Sequence, residues 1–118
     1  MKQLDPDTLA QFTGTAHYYR ISPQCLLTDG TRYLADAAGA FWLMDAAYSH
    51  LVALGTQDGF VLVRLVVSGT RATLTLEDGN GHVRARQLIP YTDFPADEQR
   101  MFACWDGQHW VLMLPSEY

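Results

Sequence analysis

Between residues 60 and 89 apolar and polar side chains alternate, and two turns fix the register of that alternation. A period of two places successive side chains on opposite faces of a strand, so this stretch predicts three antiparallel strands, one face buried. Gly69-Thr70 reads as a two-residue hairpin loop, with Gly supplying the positive φ at the first central position of a type II′ turn. Val67 then faces Ala72, Leu65 faces Leu74 and Val63 faces Leu76, and every pair is apolar. The Asp78-Gly79-Asn80-Gly81 turn pairs Leu76 with Val83 and Leu74 with Ala85. Both turns select the same buried face; a slip of one residue would send each apolar set to solvent. The opposite face carries Leu62, Arg64 and Val66, then Arg71, Thr73, Thr75 and Glu77, then His82, Arg84 and Arg86. Four of the chain's seven arginines share it.

Helical signals come before this sheet. Asp5-Pro6 is a helix start, with Asp as N-cap and Pro preset at the first helical position. Leu9 and Phe12 would pin that helix, and Gly14 ends it. Ser22-Pro23 reads as a turn before a short strand, Cys25–Leu27. Thr28 or Asp29 caps a second helix with Tyr33, Leu34 and Ala37 on one side, and Gly39 stops it. In a longer third helix Ala40, Leu43, Met44, Ala47, Tyr48, Leu51 and Leu54 recur at three- and four-residue intervals, a stripe for the sheet to cover. Trp42, Asp45 and Ser49 fall on its other side.

After the sheet, Pro90 ends the ladder for want of an amide hydrogen. Residues 92–100 read as a polar connection with one helical turn at Pro95-Ala96-Asp97-Glu98. A second hairpin follows around Asp106-Gly107-Gln108-His109, with Trp105 facing Trp110. Its two faces are both apolar: Phe102, Cys104, Val111 and Met113 on one, Ala103, Trp105, Trp110, Leu112 and Leu114 on the other. Such a strand pair has to be covered twice. Either the N-terminal segment, with Phe12, Tyr18 and Tyr19, or the chain's own loops cover the second face, or a partner or a second copy does. A homodimer centred on Trp105, Trp110 and Leu112 is one expectation.

At 118 residues the chain is one domain, residues 1–118, long enough to bury roughly two-thirds of its unfolded surface. A formal net charge of -5 argues against generic nucleic-acid binding, which relies on basic surface, and against adhesion to anionic membranes. No apolar h-region opens the chain and no run of about 18 apolar residues crosses it, so a cytoplasmic protein is expected. The two cysteines, Cys25 and Cys104, stand far apart without metal-ligand spacing, which suits reduced thiols.

No motif carries chemistry. The string Asp78-Gly79-Asn80-Gly81 also occurs in calcium-binding EF-hand loops. Aligned on Gly81, however, Leu76 stands where the first carboxylate belongs and Gln87 where the bidentate Glu belongs. His17, His50, His82 and His109 are isolated, His82 being expected across from Glu77. No serine has a nucleophile-elbow context and neither cysteine a sequence-local base, so the expectation is a non-enzyme without cofactor or metal. Tyr18, Tyr19 and Arg20 are interface-type residues, one tyrosine packing and the other exposed, since neighbours cannot point the same way. Arg64 and Arg84 either flank Thr75 and pair with Glu77 as a solvated face, or together with Arg86 recognise an acidic partner.

The segments Phe12-Thr13-Gly14-Thr15, Tyr18-Tyr19-Arg20, Leu27-Thr28-Asp29-Gly30, Tyr33-Leu34-Ala35, Ala38-Gly39-Ala40 and Trp42-Leu43 with Asp45 resemble a family of small uncharacterised bacterial proteins. So do Glu77-Asp78-Gly79-Asn80-Gly81, Ile89-Pro90-Tyr91-Thr92-Asp93-Phe94-Pro95 and Leu114-Pro115-Ser116-Glu117-Tyr118. The resemblance covers nearly the whole chain. It implies a product of plasmids, phages and other mobile elements, with no activity or residue role to carry over.

Together these readings predict a single α+β domain: an antiparallel sheet of about five strands from the second half, with helices from the first half on one face. The expected function is non-enzymatic protein binding, as an accessory of a mobile element that inhibits host defence machinery. Its candidate surface is Arg64, Arg84, Arg86, Trp105, Trp110, Leu112, Tyr18, Tyr19 and Arg20. A small-ligand-binding or homodimeric structural protein is the competing expectation.

Overall fold

The computed structural model describes residues 3–118. Asp5 caps α1 (Pro6–Ala10), its carboxylate accepting from the Asp7 amide at 2.9 Å. This helix ends before Gly14, with Gln11 as its C-cap. Thr28 caps α2 (Asp29–Ala38) in a reciprocal pair: its hydroxyl accepts from the Thr31 amide at 3.3 Å, and the Thr31 hydroxyl accepts from the Thr28 amide at 3.0 Å. Gly39 then takes the left-handed conformation, φ 60°, that stops the helix and lets α3 (Phe41–Leu54) leave in a new direction. Leu43, Met44, Ala47 and Leu51 form the buried side of α3, as its periodicity requires.

Seven strands make one sheet: β1 (Tyr19–Ser22), β2 (Cys25–Leu27), β3 (Phe60–Ser68), β4 (Arg71–Glu77), β5 (Val83–Ile89), β6 (Glu98–Trp105) and β7 (Trp110–Met113), in the order β1-β2-β7-β6-β3-β4-β5. The fold is α+β, but the sheet is neither five-stranded nor wholly antiparallel. The first half adds β1 and β2, and β2 runs parallel to β7, with Cys25 beside Trp110 and Leu27 beside Leu112. The last hairpin is thus flanked on both edges, and β7 lies in the sheet's interior.

The first turn has the expected register: Val67 faces Ala72, Leu65 faces Leu74 and Val63 faces Leu76. The second differs. Leu76 pairs with Ala85 and Leu74 with Gln87, a shift of two residues that keeps the face, and Glu77 pairs with Val83 so that Arg84 is an extra residue in β5. This bulge turns Val83 outward to solvent. His82 meets Asp78 rather than Glu77, with 3.4 Å between Nδ1 and the carboxylate. No helical turn forms at Pro95; the chain bends there, and β6 begins at Glu98.

The core lies between the helices and one sheet face, with Val63, Leu65, Leu74, Leu76, Met101 and Ala103 opposite Leu34, Leu43, Met44 and Leu51. Trp110 (2% exposed) and Leu112 (0%) belong to this core within a single chain. The expected dimer surface of Trp105, Trp110 and Leu112 is therefore the covered face of the hairpin. Trp105 does pack on Trp110, with ring centroids 5.6 Å apart.

Leu74→Ala should destabilise the fold by roughly 2–5 kcal/mol and Trp110→Ala by roughly 3–5 kcal/mol, against a far smaller loss for Thr75→Ala on the other face. Urea unfolding followed by circular dichroism measures all three. Similar midpoints for Leu74→Ala and Thr75→Ala would mean that the assigned faces are wrong.

Candidate functional site: the open sheet face

Two carboxylates organise the start of α2, and both are committed within the chain. Glu117, in the 3-10 turn Pro115–Glu117, accepts from the Thr28 hydroxyl at 2.6 Å, the Gly30 amide at 3.1 Å and the Leu114 amide at 2.9 Å. It supplies negative charge where helix amides lack partners. A Cβ at position 30 would overlap the Glu117 carboxylate and the Leu114 side chain, so Gly there lets both approach the start of α2 without shifting. Asp29 accepts from the Ala16 amide at 2.8 Å and the Tyr19 hydroxyl at 3.0 Å, while its own amide donates to the Thr15 hydroxyl at 2.8 Å. The Ala16 amide, above all, holds the Asp29 carboxyl below the usual aspartate range. The Thr15, Tyr19, Thr28-Asp29-Gly30 and Leu114–Glu117 segments of the sequence motifs thus tie one another together.

Since α2 and α3 pack on one face, the other face of the sheet carries no helix among the described residues. Its β2, β7 and β6 part is apolar, built from Leu26, Val111, Met113, Cys104 and Phe102, and continues onto β3 with Phe60 and Leu62. Tyr118, 76% exposed, stands edge-on to Phe60 and Phe102 at ring-centroid distances of 5.4 and 5.2 Å. A cavity of about 470 Å³ opens on this half, lined by Tyr18, Leu26, Cys104, Trp105, Val111 and Met113 among others.

The β3, β4 and β5 part carries arginine. Arg64 and Arg86 lie on it as expected, with Arg71, and Arg84 stands at the bulge. Arg100 joins them from β6, directly opposite Arg64, a fifth arginine in a stretch whose polar composition reads as a connection and not as a strand. None pairs with Glu77. Arg64 and Arg100 share Glu98, at 2.6 and 3.1 Å, and Arg84 reaches Asp58 at 2.8 Å. The two arginines hold the Glu98 carboxyl below its usual range. Arg71 and Arg86 make no ion pair with the described residues and lie on either side of exposed Leu88. A second cavity, about 410 Å³, opens beside them between Val66, Arg71, Thr73, Leu88 and Pro90.

The remaining candidates separate. Tyr18 is exposed over the apolar cavity, whereas Tyr19 packs under Arg32, whose guanidinium carbon is 4.7 Å from the ring centre. Arg20, opposite Leu26, is on the open face at the far edge. Burial pushes the Cys25 thiol up to about 12 and raises that of Cys104, the reverse of what activates a thiolate nucleophile. Among the described residues no three His, Cys, Asp or Glu side chains gather as metal ligands. No described helix is long and apolar enough to cross a membrane.

The profile of a family of unknown function, DUF6876, matches residues 3–118. No curated protein and no solved structure matches the chain.

Because the folded-state pKa of Asp29 is depressed, its contribution to stability is present above the ordinary aspartate value of 3.8 and is lost as pH falls through the depressed one. Asp29→Asn should therefore remove part of the fall in melting temperature below about pH 4. Parallel pH curves for the two proteins would contradict the role given to this carboxylate.

Proposed function

Given that this chain belongs to DUF6876, a family of unknown function, membership supplies no activity, and we propose from its surface that it works by binding a protein partner rather than by catalysis. One observation supports this most: a sheet face without helical cover, apolar at β2 and β7 and arginine-rich at β3 to β5. Apolar surface combined with arginine is the composition of protein interfaces. Five arginines interleaved with Glu98, Asp58 and Asp78 do not make the uninterrupted basic stripe that a polyphosphate backbone rewards. Planar guanidinium groups recognise carboxylates, so the partner presents acidic side chains to Arg71 and Arg86. The cavity beneath Tyr18 receives one apolar anchor side chain of that partner; in the competing small-ligand reading it would hold the ligand instead.

Resemblance to products of bacterial mobile elements makes that partner a host protein. A surface that blocks without chemistry fits an inhibitor of host defence machinery, in a cytoplasmic setting. Affinity capture from a bacterial host lysate, read by mass spectrometry, tests the proposal. Wild-type chain should retain a host protein whose capture weakens with added salt and is lost in the Arg71→Ala, Arg86→Ala double variant, with no change in melting temperature. Capture that ignores both salt and these substitutions would remove the arginine half from the account.

A further inference from the structure

Strand β5 is one edge of the sheet, paired with β4 on one side and with no described strand on the other. An edge strand turns alternate backbone N–H and C=O groups outward, ready to pair with another chain. The opposite edge is blunted, since β1 has four residues and its pairing is irregular between Arg20 and Ser22. β5 is bulged at Arg84, but from residue 85 to residue 89 its ladder with β4 is continuous, and Pro90 closes it. The helix-side positions of this run, Ala85, Gln87 and Ile89, carry no charge, so the inward-pointing charge that spoils edges in natural sheets is absent here.

The open-face positions indicate what would pair. Arg86 makes no ion pair with the described residues, nor does Arg71, diagonal to Leu88 on β4, and Leu88 itself is 74% exposed. The sequence of β5 holds two arginines and no carboxylate. A second copy of the strand would bring more arginine and no counter-charge, whereas an acidic chain brings what is missing. We propose that the β5 edge is a strand-addition site for an extended acidic segment of a protein partner, an acidic residue opposite Arg86 and an apolar one opposite Leu88. The inference rests on the protein-binding reading above and adds how the partner is held, by a backbone ladder that extends the seven-stranded sheet.

The probe is a labelled, end-capped peptide, Thr-Val-Thr-Glu-Thr-Glu-Thr, which in antiparallel pairing sets Val opposite Leu88 and the first Glu opposite Arg86. Binding to the full chain is followed by fluorescence anisotropy. Two further versions are N-methylated on alternate residues, one on the Thr set and one on the Val and Glu set. In a strand, alternate residues aim their amides at opposite edges, so one set faces β5 and the other faces away. One version should bind at least about tenfold more weakly, and the other should stay within about threefold of the parent. Arg86→Ala should weaken the parent peptide as well. Equal affinity of the two N-methylated versions would overturn strand addition while leaving face binding in place. No peptide binding, together with arginine-dependent capture of a host protein, would likewise overturn the inference and spare the broader reading. Dimerisation of the chain alone, with the β5 amides protected from exchange, would assign the edge to a second copy and overturn it.

Discussion

Thr28 is the residue on which the rest of the arrangement depends, because β2 becomes α2 there while both are bound to β7. Its amide donates to the Leu112 carbonyl at 3.3 Å, and the Thr31 hydroxyl one turn on donates to the same carbonyl at 2.8 Å. Its hydroxyl donates to Glu117, only three residues beyond Leu114. These bonds hold β7 parallel to β2 and aim α2 back across one face of the sheet. Buried polar groups with every partner in place are costly to disturb, and no buried side-chain nitrogen or oxygen among the described residues lacks a partner.

The open face follows from that junction. Ten residues in α2 and 14 in α3 cover the side that α2 is aimed at, and α3 reaches the far edge, where His50 meets the Gln87 side chain at 2.8 Å. Little helix remains for the other side. There, among the described residues, Tyr118 stands over Phe60 and Phe102, Tyr18 lines the cavity over Leu26 and the buried Val111, and three of the five arginines pair with Glu98 and Asp58. What stays unmatched, Arg71, Arg86 and Leu88, gathers at one edge. Apolar surface and unpaired charge close to unsatisfied backbone are features a binding surface uses and a purely structural one tends to lose.

Much of the architecture was legible because local signals agreed. Asp5-Pro6, the Thr28 cap, the Gly39 stop and the Gly69-Thr70 turn each carry their own stereochemistry, so the helix starts and the first hairpin are legible, whereas α1 ends at Ala10, before Phe12, and α2 buries Thr31, Leu34, Ala35 and Ala38 with Tyr33 exposed. The β2–β7 pair could not, since three residues such as Cys25–Leu27 carry no trace of a partner more than eighty positions away. Which face of the last hairpin is inside was equally hidden. With both faces apolar, alternation decides nothing, and Trp110 and Leu112 look as available for an interface as Val111 and Met113. The register of β5 differs by two: the turn is one residue longer, with Glu77 pairing with Val83 and not His82, and the bulge at Arg84 adds the second, neither of which has a sequence mark in a run of alternating residues. Alternation alone places Arg64 and Arg86 on the open face, while Arg84 stands at the bulge. Arg100 became visible only once β6 was known to start at Glu98.

Hydrogen–deuterium exchange of the chain, free and with the proposed partner added, addresses the central claim most directly: that the face α2 and α3 leave open, with its β5 edge, is the binding surface. The account predicts added protection in Val83–Ile89 and in the β3 and β4 amides, with α2 and α3 exchanging as they do in the free chain. Protection confined to α2 and α3, with β5 unchanged, would contradict it.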